Sequence, residues 1–198
     1  MQLMEKKDVI EFFDRCAPKW DAEMIKSDEI IDIILNRAGV IPGGSVLDVA
    51  CGTGVLIPYY LSHGAASVTG IDISPAMAEI ASKKFARDNV NIVCGDVEEY
   101  SPEERFDCVV VYNAFPHFQD PERLLRKLSG LAAPGGTVTV AHGMSRERIN
   151  AHHVSVMNVS NELPEAEVLA DLFRKCGLDV SEVISNEKMY LVTGKSAV

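Results

Sequence analysis

From about residue 45 onward, short apolar runs rich in β-branched residues alternate with stretches whose apolar positions recur every three or four residues. That alternation predicts an α/β fold, a mostly parallel sheet covered by helices on both faces. Strands are expected at Ser45 to Ala50, Ser67 to Asp72, Asn91 to Cys94, Phe106 to Asn113 and Gly136 to His142. Most of these runs are too apolar for a sheet with one wet face. Ser74-Pro75 and Asp120-Pro121 each pair a capping side chain with a proline at the first helical position. The second of these helices puts Leu124, Leu125, Leu128 and Leu131 on one face and stops before Pro134-Gly135-Gly136, a turn back into the sheet. A last helix, Pro164 to Cys176, is expected to bury Val168, Leu169, Leu172 and Phe173 and to end at Gly177.

Two further strand-like runs, Leu178 to Ile184 and Lys188 to Thr193, are joined by Ser185-Asn186-Glu187. Three residues cannot hold a crossover helix, so this pair must be antiparallel. The expected sheet therefore has seven strands and closes in a C-terminal antiparallel β-hairpin. Two helices precede the first strand, Asp8 to Ala17 and Ser27 to Ala38, the second with Ile30, Ile31, Ile34 and Leu35 facing the core. At 198 residues the chain fits one domain, which by size scaling buries roughly 70% of its unfolded surface.

Composition narrows the partners. A net charge of -10 repels phosphate backbones, and the nearest basic cluster, Lys83-Lys84 with Arg87, backs onto Met77, Ile80, Ala81 and Phe85 and reads as a solvated helix face. No nucleic-acid role is expected. Cys16, Cys51, Cys94, Cys108 and Cys176 form no C-x-x-C pair, which suggests neither a disulfide framework nor a thiolate zinc site and suits a reducing compartment. The first residues lack an apolar leader, and no run reaches the roughly 18 apolar residues of a membrane span. A cytoplasmic location without membrane contact is the expectation.

Chemistry concentrates after the first strand, where Asp48-Val-Ala-Cys-Gly52-Thr53-Gly54 sets an acidic strand end before a tight glycine turn. Open α/β sheets bind ligands at such strand ends. A dinucleotide fingerprint would need glycine at position 57, and Ile57 stands there.

These residues resemble the class I, Rossmann-like methyltransferase family, whose first motif is an acidic residue followed by a glycine-rich turn. Ala50 takes the place of that motif's first glycine. Further segments fit the same resemblance: Asp72 at the end of the second strand, Cys94-Gly95-Asp96-Val97 after the third, Phe106 to Asn113 as the fourth, Pro134-Gly135-Gly136 and the closing hairpin. The resemblance covers about residues 40 to 195 and implies S-adenosylmethionine as cofactor. It implies cofactor contacts from Asp48, Ala50, Cys51, Gly52, Thr53 and Gly54, from Asp72, Ile73 and Met77, from Asp96 and Val97, and from Asn113. Asp72 would accept from the ribose hydroxyls and Asp96 from the adenine amino group, while Asp48, set deeper, orders the turn or meets the amino group of the methionine end through water. Phe12 to Asp21 looks like the lid of small-molecule methyltransferases, including those that act on quinone precursors. Phe13 and Trp20 are its candidate aromatics, able to exclude water from the sulfonium. Within the one domain, residues 1–40 then form the N-terminal helices and lid, and residues 143–163 a substrate cap.

Methyl transfer from a sulfonium needs alignment above all, and a base only when the acceptor arrives protonated. Four histidines map to the carboxyl rim of the sheet: His117 after the fourth strand, His142 at the end of the fifth, and His152 and His153 on a short helix capped by Ser145. Three roles are open for them: polar support, base or acceptor contact, and metal ligation. His117 is the catalytic candidate, with His142, His152 and His153 on the acceptor side. No H-E-x-x-H spacing supports a metal. Asn113-Ala-Phe-Pro116 lacks the second-position proline of the Asn-Pro-Pro-aromatic motif, which disfavours amino groups of bases and glutamines as acceptors. The expected reaction is methyl transfer to a small-molecule acceptor. Carbon methylation of a quinone-like ring, a non-catalytic S-adenosylmethionine-binding protein and a dehydrogenase are its rivals. A homodimer is compatible with the sequence.

Overall fold

A computed structural model describes residues 5–153 and 159–197. Its centre is one seven-stranded sheet: β1 (Ser45–Val49), β2 (Ser67–Asp72), β3 (Val90–Cys94), β4 (Phe106–Tyr112), β5 (Ala132–His142), β6 (Leu178–Ser185) and β7 (Tyr190–Ser196). The strand order is β3-β2-β1-β4-β5-β7-β6. The first five strands pair in parallel, and β7 inserts antiparallel between β5 and β6, so the expected hairpin is present. The order runs leftward from β1 to β3 and rightward from β4, which makes the gap beyond β1 and β4 the topological switch point where such sheets bind ligands.

Side-chain alternation divides the core. Leu47, Val49, Val109, Val111, Val138 and Val140 face one side, where they meet Leu124, Leu125, Leu128 and Leu131 of α6 (Pro121–Leu131) and Leu169 and Phe173 of α8 (Ala166–Lys175). Val46, Val68, Cys108 and Val110 face the other, against Ile31, Leu35 and Ala38 of α3 (Asp28–Ala38) and Ile57 and Tyr60 of α4 (Ile57–Ser62). Each fully buried aliphatic side chain contributes roughly 1.5–3 kcal/mol. The helix starts follow the sequence signals: Ser27, Ser74 and Asp120 accept from the amides of Ile30, Met77 and Arg123 at the N-termini of α3, α5 (Pro75–Lys84) and α6.

Three expectations change. Val168 is 59% exposed and Leu172 half-buried, because the stripe of α8 that meets the sheet is Ala166, Leu169, Ala170 and Phe173. Position 168 is a hundred degrees round the helix from 169, outside the stripe. Second, Pro134-Gly135-Gly136 lies within β5 rather than before it: Ala132 pairs with Phe106, the chain loops out, and pairing resumes at Thr137 opposite Cys108. A Cβ on Gly136 would sit 2.9 Å from the carbonyl oxygens of Phe106, Asp107 and Ala133, so the loop-out closes only with glycine there. Third, the expected first helix, α1 (Lys6–Cys16), is followed by a 3-10 turn (Ala17–Lys19) at Pro18 and a further short helix α2 (Trp20–Glu23), and this bend lays the N-terminal segment across the strand ends. Among the described residues no helix is long and apolar enough to cross a membrane.

Candidate active site

The loops after β1, β2, β3 and β4 surround one pocket at the carboxyl edge of the sheet. Backbone conformation shapes its floor. Ala50 (φ 54°), Gly52 (φ 55°) and Gly54 (φ 83°) all take left-handed dihedrals. The two glycines do different work. A Cβ on Gly54 would collide with Phe85 and Ile57 at 2.6 and 2.8 Å, whereas one on Gly52 would meet only Trp20 Nε1, at 3.8 Å. Gly54 lets the turn pack against α4 and α5, and Gly52 leaves the wall open toward the cavity.

Asp72 ties this turn to β2. Its Oδ2 accepts from the Gly52 amide at 2.7 Å and its Oδ1 from the Ser74 amide at 2.8 Å. Burial pushes its carboxyl up from the usual range while the two amides oppose that rise. Asp48 lies behind the wall, 2% exposed. Tyr60 Oη donates to Asp48 Oδ1 at 3.2 Å, and Oδ2 has no partner. Burial, with a smaller push from the charge of Asp72, raises its pKa to about 7. On the β3 loop, Asp96 accepts from the Glu98 amide (2.9 Å) and from Lys6 Nζ (2.5 Å), and Lys6 also holds Glu98.

The N-terminal segment forms the roof. Asp14 accepts from Ser74 Oγ (2.6 Å) and the Ala76 amide (3.1 Å), and Asp21 accepts from Thr53 Oγ1 (2.5 Å) and Lys84 Nζ (2.8 Å). An edge-to-face aromatic chain runs beneath it, Trp20 to Phe13 at 5.7 Å and Phe13 to His117 at 5.0 Å between centroids. His117 sits in a 3-10 turn (Phe115–His117) after β4, and its Nδ1 lies 2.7 Å from the carbonyl oxygen of Val159. Only a protonated Nδ1 can bond a carbonyl, so in the neutral ring Nε2 carries the lone pair. Burial lowers the pKa of this imidazole, which favours that neutral form.

Of the residues singled out in the sequence, the structure brings Phe13, Trp20, Ala50, Cys51, Gly52, Asp72, Ile73, Met77, Asp96, Val97, Asn113 and His117 to the pocket wall. Asp48, Thr53 and Gly54 are not on it: Asp48 and Thr53 are buried behind, and Gly54 packs on Phe85. His142 is buried at the end of β5, edge-to-face with Tyr190 at 6.0 Å. His152 and His153 close α7 (Arg146–His153), and their side chains lie outside the described residues. Among the described residues no three His, Cys, Asp or Glu side chains come together as a metal site. The pocket also takes in Lys6, Met24, Ile25, Lys26, Glu98, Tyr112, Phe118 and Gln119. Glu98, Phe118 and Gln119 flank residues already suspected, but nothing in the sequence marks Lys6 or Lys26, which arrive through the bend at Pro18.

Residues 46–136 match the family model of a methyltransferase domain. This chain carries a class I methyltransferase domain. The ubiquinone biosynthesis O-methyltransferase of Coxiella burnetii is 29% identical to it over 143 residues, 68% of this chain and 61% of that one. The malonyl-[acyl-carrier protein] O-methyltransferase 1 of Ilyobacter polytropus is 32% identical over 145 residues, 70% of this chain and 53% of that one. The chain thus spans about three fifths or less of the length of these curated relatives. Solved structures share the whole fold. A putative methyltransferase in complex with a Haloferax volcanii methyltransferase activator superposes with a TM-score of 0.82, at 21% identity over 96% of this chain and 98% of that one. The N-methyltransferase NodS of Bradyrhizobium japonicum, solved with S-adenosyl-l-homocysteine, gives 0.74 at 16% identity over 96% and 99%. The pocket of this methyltransferase domain therefore lies within a fold shared along nearly its full length, and the roof residues belong to the part outside the matched 46–136 segment.

Proposed function

We propose that this chain binds S-adenosylmethionine in the pocket and transfers its methyl group to a hydroxyl of a small-molecule acceptor, with His117 taking the hydroxyl proton. The observation that carries the reading is the placement of Asp72, Asp96 and a neutral His117 on one wall, along successive strand ends beneath an aromatic roof. The residues fit the cofactor. Gly52 leaves open space at the turn, Asp72 and Asp96 offer carboxylates at neighbouring loops, and the buried Asp48 keeps an oxygen without a partner close behind them. When bound, S-adenosylmethionine supplies an electrophilic methyl on a sulfonium.

The chain's own residues supply the rest. Phe13 and Trp20 exclude water, which strengthens the electrostatics of the site. The Val159 carbonyl fixes the His117 tautomer so that Nε2 is the proton acceptor, the arrangement a base requires. An oxygen acceptor is supported by the names of the two relatives, both O-methyltransferases, and a protonated hydroxyl by that base. A net charge of -10 argues for a small-molecule rather than a nucleic-acid acceptor.

The test is calorimetry with S-adenosylhomocysteine and with nicotinamide dinucleotides, followed by S-adenosylhomocysteine release across panels of phenols, carboxylic acids, thiols, amines and quinones. Binding of S-adenosylhomocysteine with turnover on hydroxyl-bearing acceptors is expected. Tight nicotinamide binding alone would sink the cofactor assignment, and turnover confined to thiols or amines would sink the acceptor class.

A further inference from the structure

Among the described residues, two cations line the pocket, and they stand at opposite ends. Lys6 is held at the β3 loop by two carboxylates, Asp96 and Glu98, the second of which also pairs with Arg123, so its charge is already engaged. Lys26, between α2 and α3, has its Nζ 4.9 Å from the ring centre of Tyr59, donates to Tyr59 Oη and reaches Asp28 Oδ1 at 2.8 Å. Tyr59 belongs to α4, the helix after β1, and Tyr112 at the end of β4 feels the charge of Lys26. Lys26 therefore marks the β1–β4 end.

The sheet order turns this into a statement about ligand direction. Strands β3, β2, β1 and β4 lie side by side, three spacings or about 14 Å across. A cofactor with its base at Asp96 on the β3 loop and its ribose at Asp72 on β2 must run its amino-acid end toward β1 and β4. That end carries a carboxylate, and a carboxylate removed from water needs a cationic partner. Lys26 is the only cation among the described residues lining that end. An ammonium has three donors. Tyr59 and Asp28 engage two, and the side chain of Asp28 is 73% exposed, so water weakens its claim on the charge.

We infer that Lys26 is the residue that binds the carboxylate of the cofactor's amino-acid end, with Tyr59 holding its ammonium at the pocket mouth. This rests on the cofactor reading above. The experiment measures, by calorimetry on the full chain, the affinities of S-adenosylhomocysteine and of its decarboxylated analogue for the wild type, Lys26→Met and Lys26→Arg. Lys26→Met should weaken S-adenosylhomocysteine about tenfold or more, as expected for a lost charge-assisted hydrogen bond. The analogue should change less than about twofold, and Lys26→Arg should recover most of the loss, since guanidinium also pairs with carboxylate. Equal losses for both ligands would mean that Lys26 only shapes the mouth, and no loss for either would leave it no part in binding. Both results overturn the inference while leaving the cofactor reading intact. A wild type that binds neither ligand overturns both.

Discussion

The two ends of the pocket are held by different kinds of bond. Toward β2, positions are fixed by hydrogen bonds between neighbouring loops: Ala50 and Gly52 take left-handed dihedrals, and Asp72 accepts the amides of Gly52 and Ser74. At the β4 end, His117 is fixed from far along the chain, by the Val159 carbonyl 42 residues later and by Phe13 of the roof. The first is built mainly from hydrogen bonds between neighbouring loops, to which Asp14 and Asp21 of the roof add anchors on Ser74 and Thr53. The second depends on segments that must dock independently. Cofactor binding and acceptor chemistry are therefore expected to fail separately, and substitutions at four positions break or sharpen that division.

The largest effect is expected at His117. His117→Ala should lower kcat by roughly 10²- to 10⁴-fold, the usual scale for a lost general base. S-adenosylhomocysteine affinity should stay near the wild-type value, and loss of both in calorimetry would erase the distinction between the two ends. Because burial lowers this imidazole's pKa, the wild type should keep its activity at pH values below the ordinary imidazole value of 6.5. A profile that falls off at 6.5 or above would count against His117 as the base.

Asp72→Ala comes next, with cofactor affinity down by about 1 to 3 kcal/mol as a buried acceptor is lost. Here the amides of Gly52 and Ser74 lose their partner too, so the melting temperature should fall as well. An unchanged dissociation constant for S-adenosylhomocysteine would remove the ribose assignment.

Asp48 tests the wall behind the turn. Its folded pKa of about 7 lies above the ordinary carboxyl value of 3.8, so the folded state holds this proton more tightly than the unfolded chain does. The contribution to stability is complete below pH 4 and is lost as pH rises through 7. Asp48→Asn, neutral at every pH, should flatten that part of the stability curve and stabilise the unliganded protein at pH 8 by on the order of 1 to 2 kcal/mol. Denaturant titrations at pH 4, 6 and 8 would show it, and parallel curves for the two proteins would refute it. The smallest change is Ala50→Gly. Relief of a left-handed alanine, offset by the entropy of glycine, should raise stability by no more than about 1 kcal/mol. Ala50→Val should instead destabilise, since a branched Cβ resists positive φ.

Legibility in the sequence follows the same division. Strand positions, the capped starts of α5 and α6, and the antiparallel hairpin are legible, because each rests on short-range pattern or loop length. Val168 departs from its expected burial because the helix period fixes which residues share a face but not which of two adjoining faces meets the sheet. The loop-out at Pro134 to Gly136 has the sequence of a turn before β5, since pairing on either side of an irregularity depends on the partner strand. Of the rim histidines, His117 and His142 both lie at the carboxyl edge of the sheet, yet His117 lines the pocket and His142 packs on Tyr190. His142 is still within β5, paired with Tyr190, whereas His117 lies past the end of β4 in a 3-10 turn, and sequence spacing does not carry that difference.

By itself the sequence determined the α/β layering, the order of the elements and the acidic and glycine positions of the turn, because backbone dihedrals and local hydrogen bonds are set within a few residues. Only the tertiary structure decided what closes over that turn. Lys6, Asp14 and Asp21 reach the loops after β1 to β3 because the chain bends at Pro18, and their partners lie between 32 and 92 residues away. Contacts at such separations leave no periodic trace, since they follow from where whole elements pack rather than from the order of residues within one.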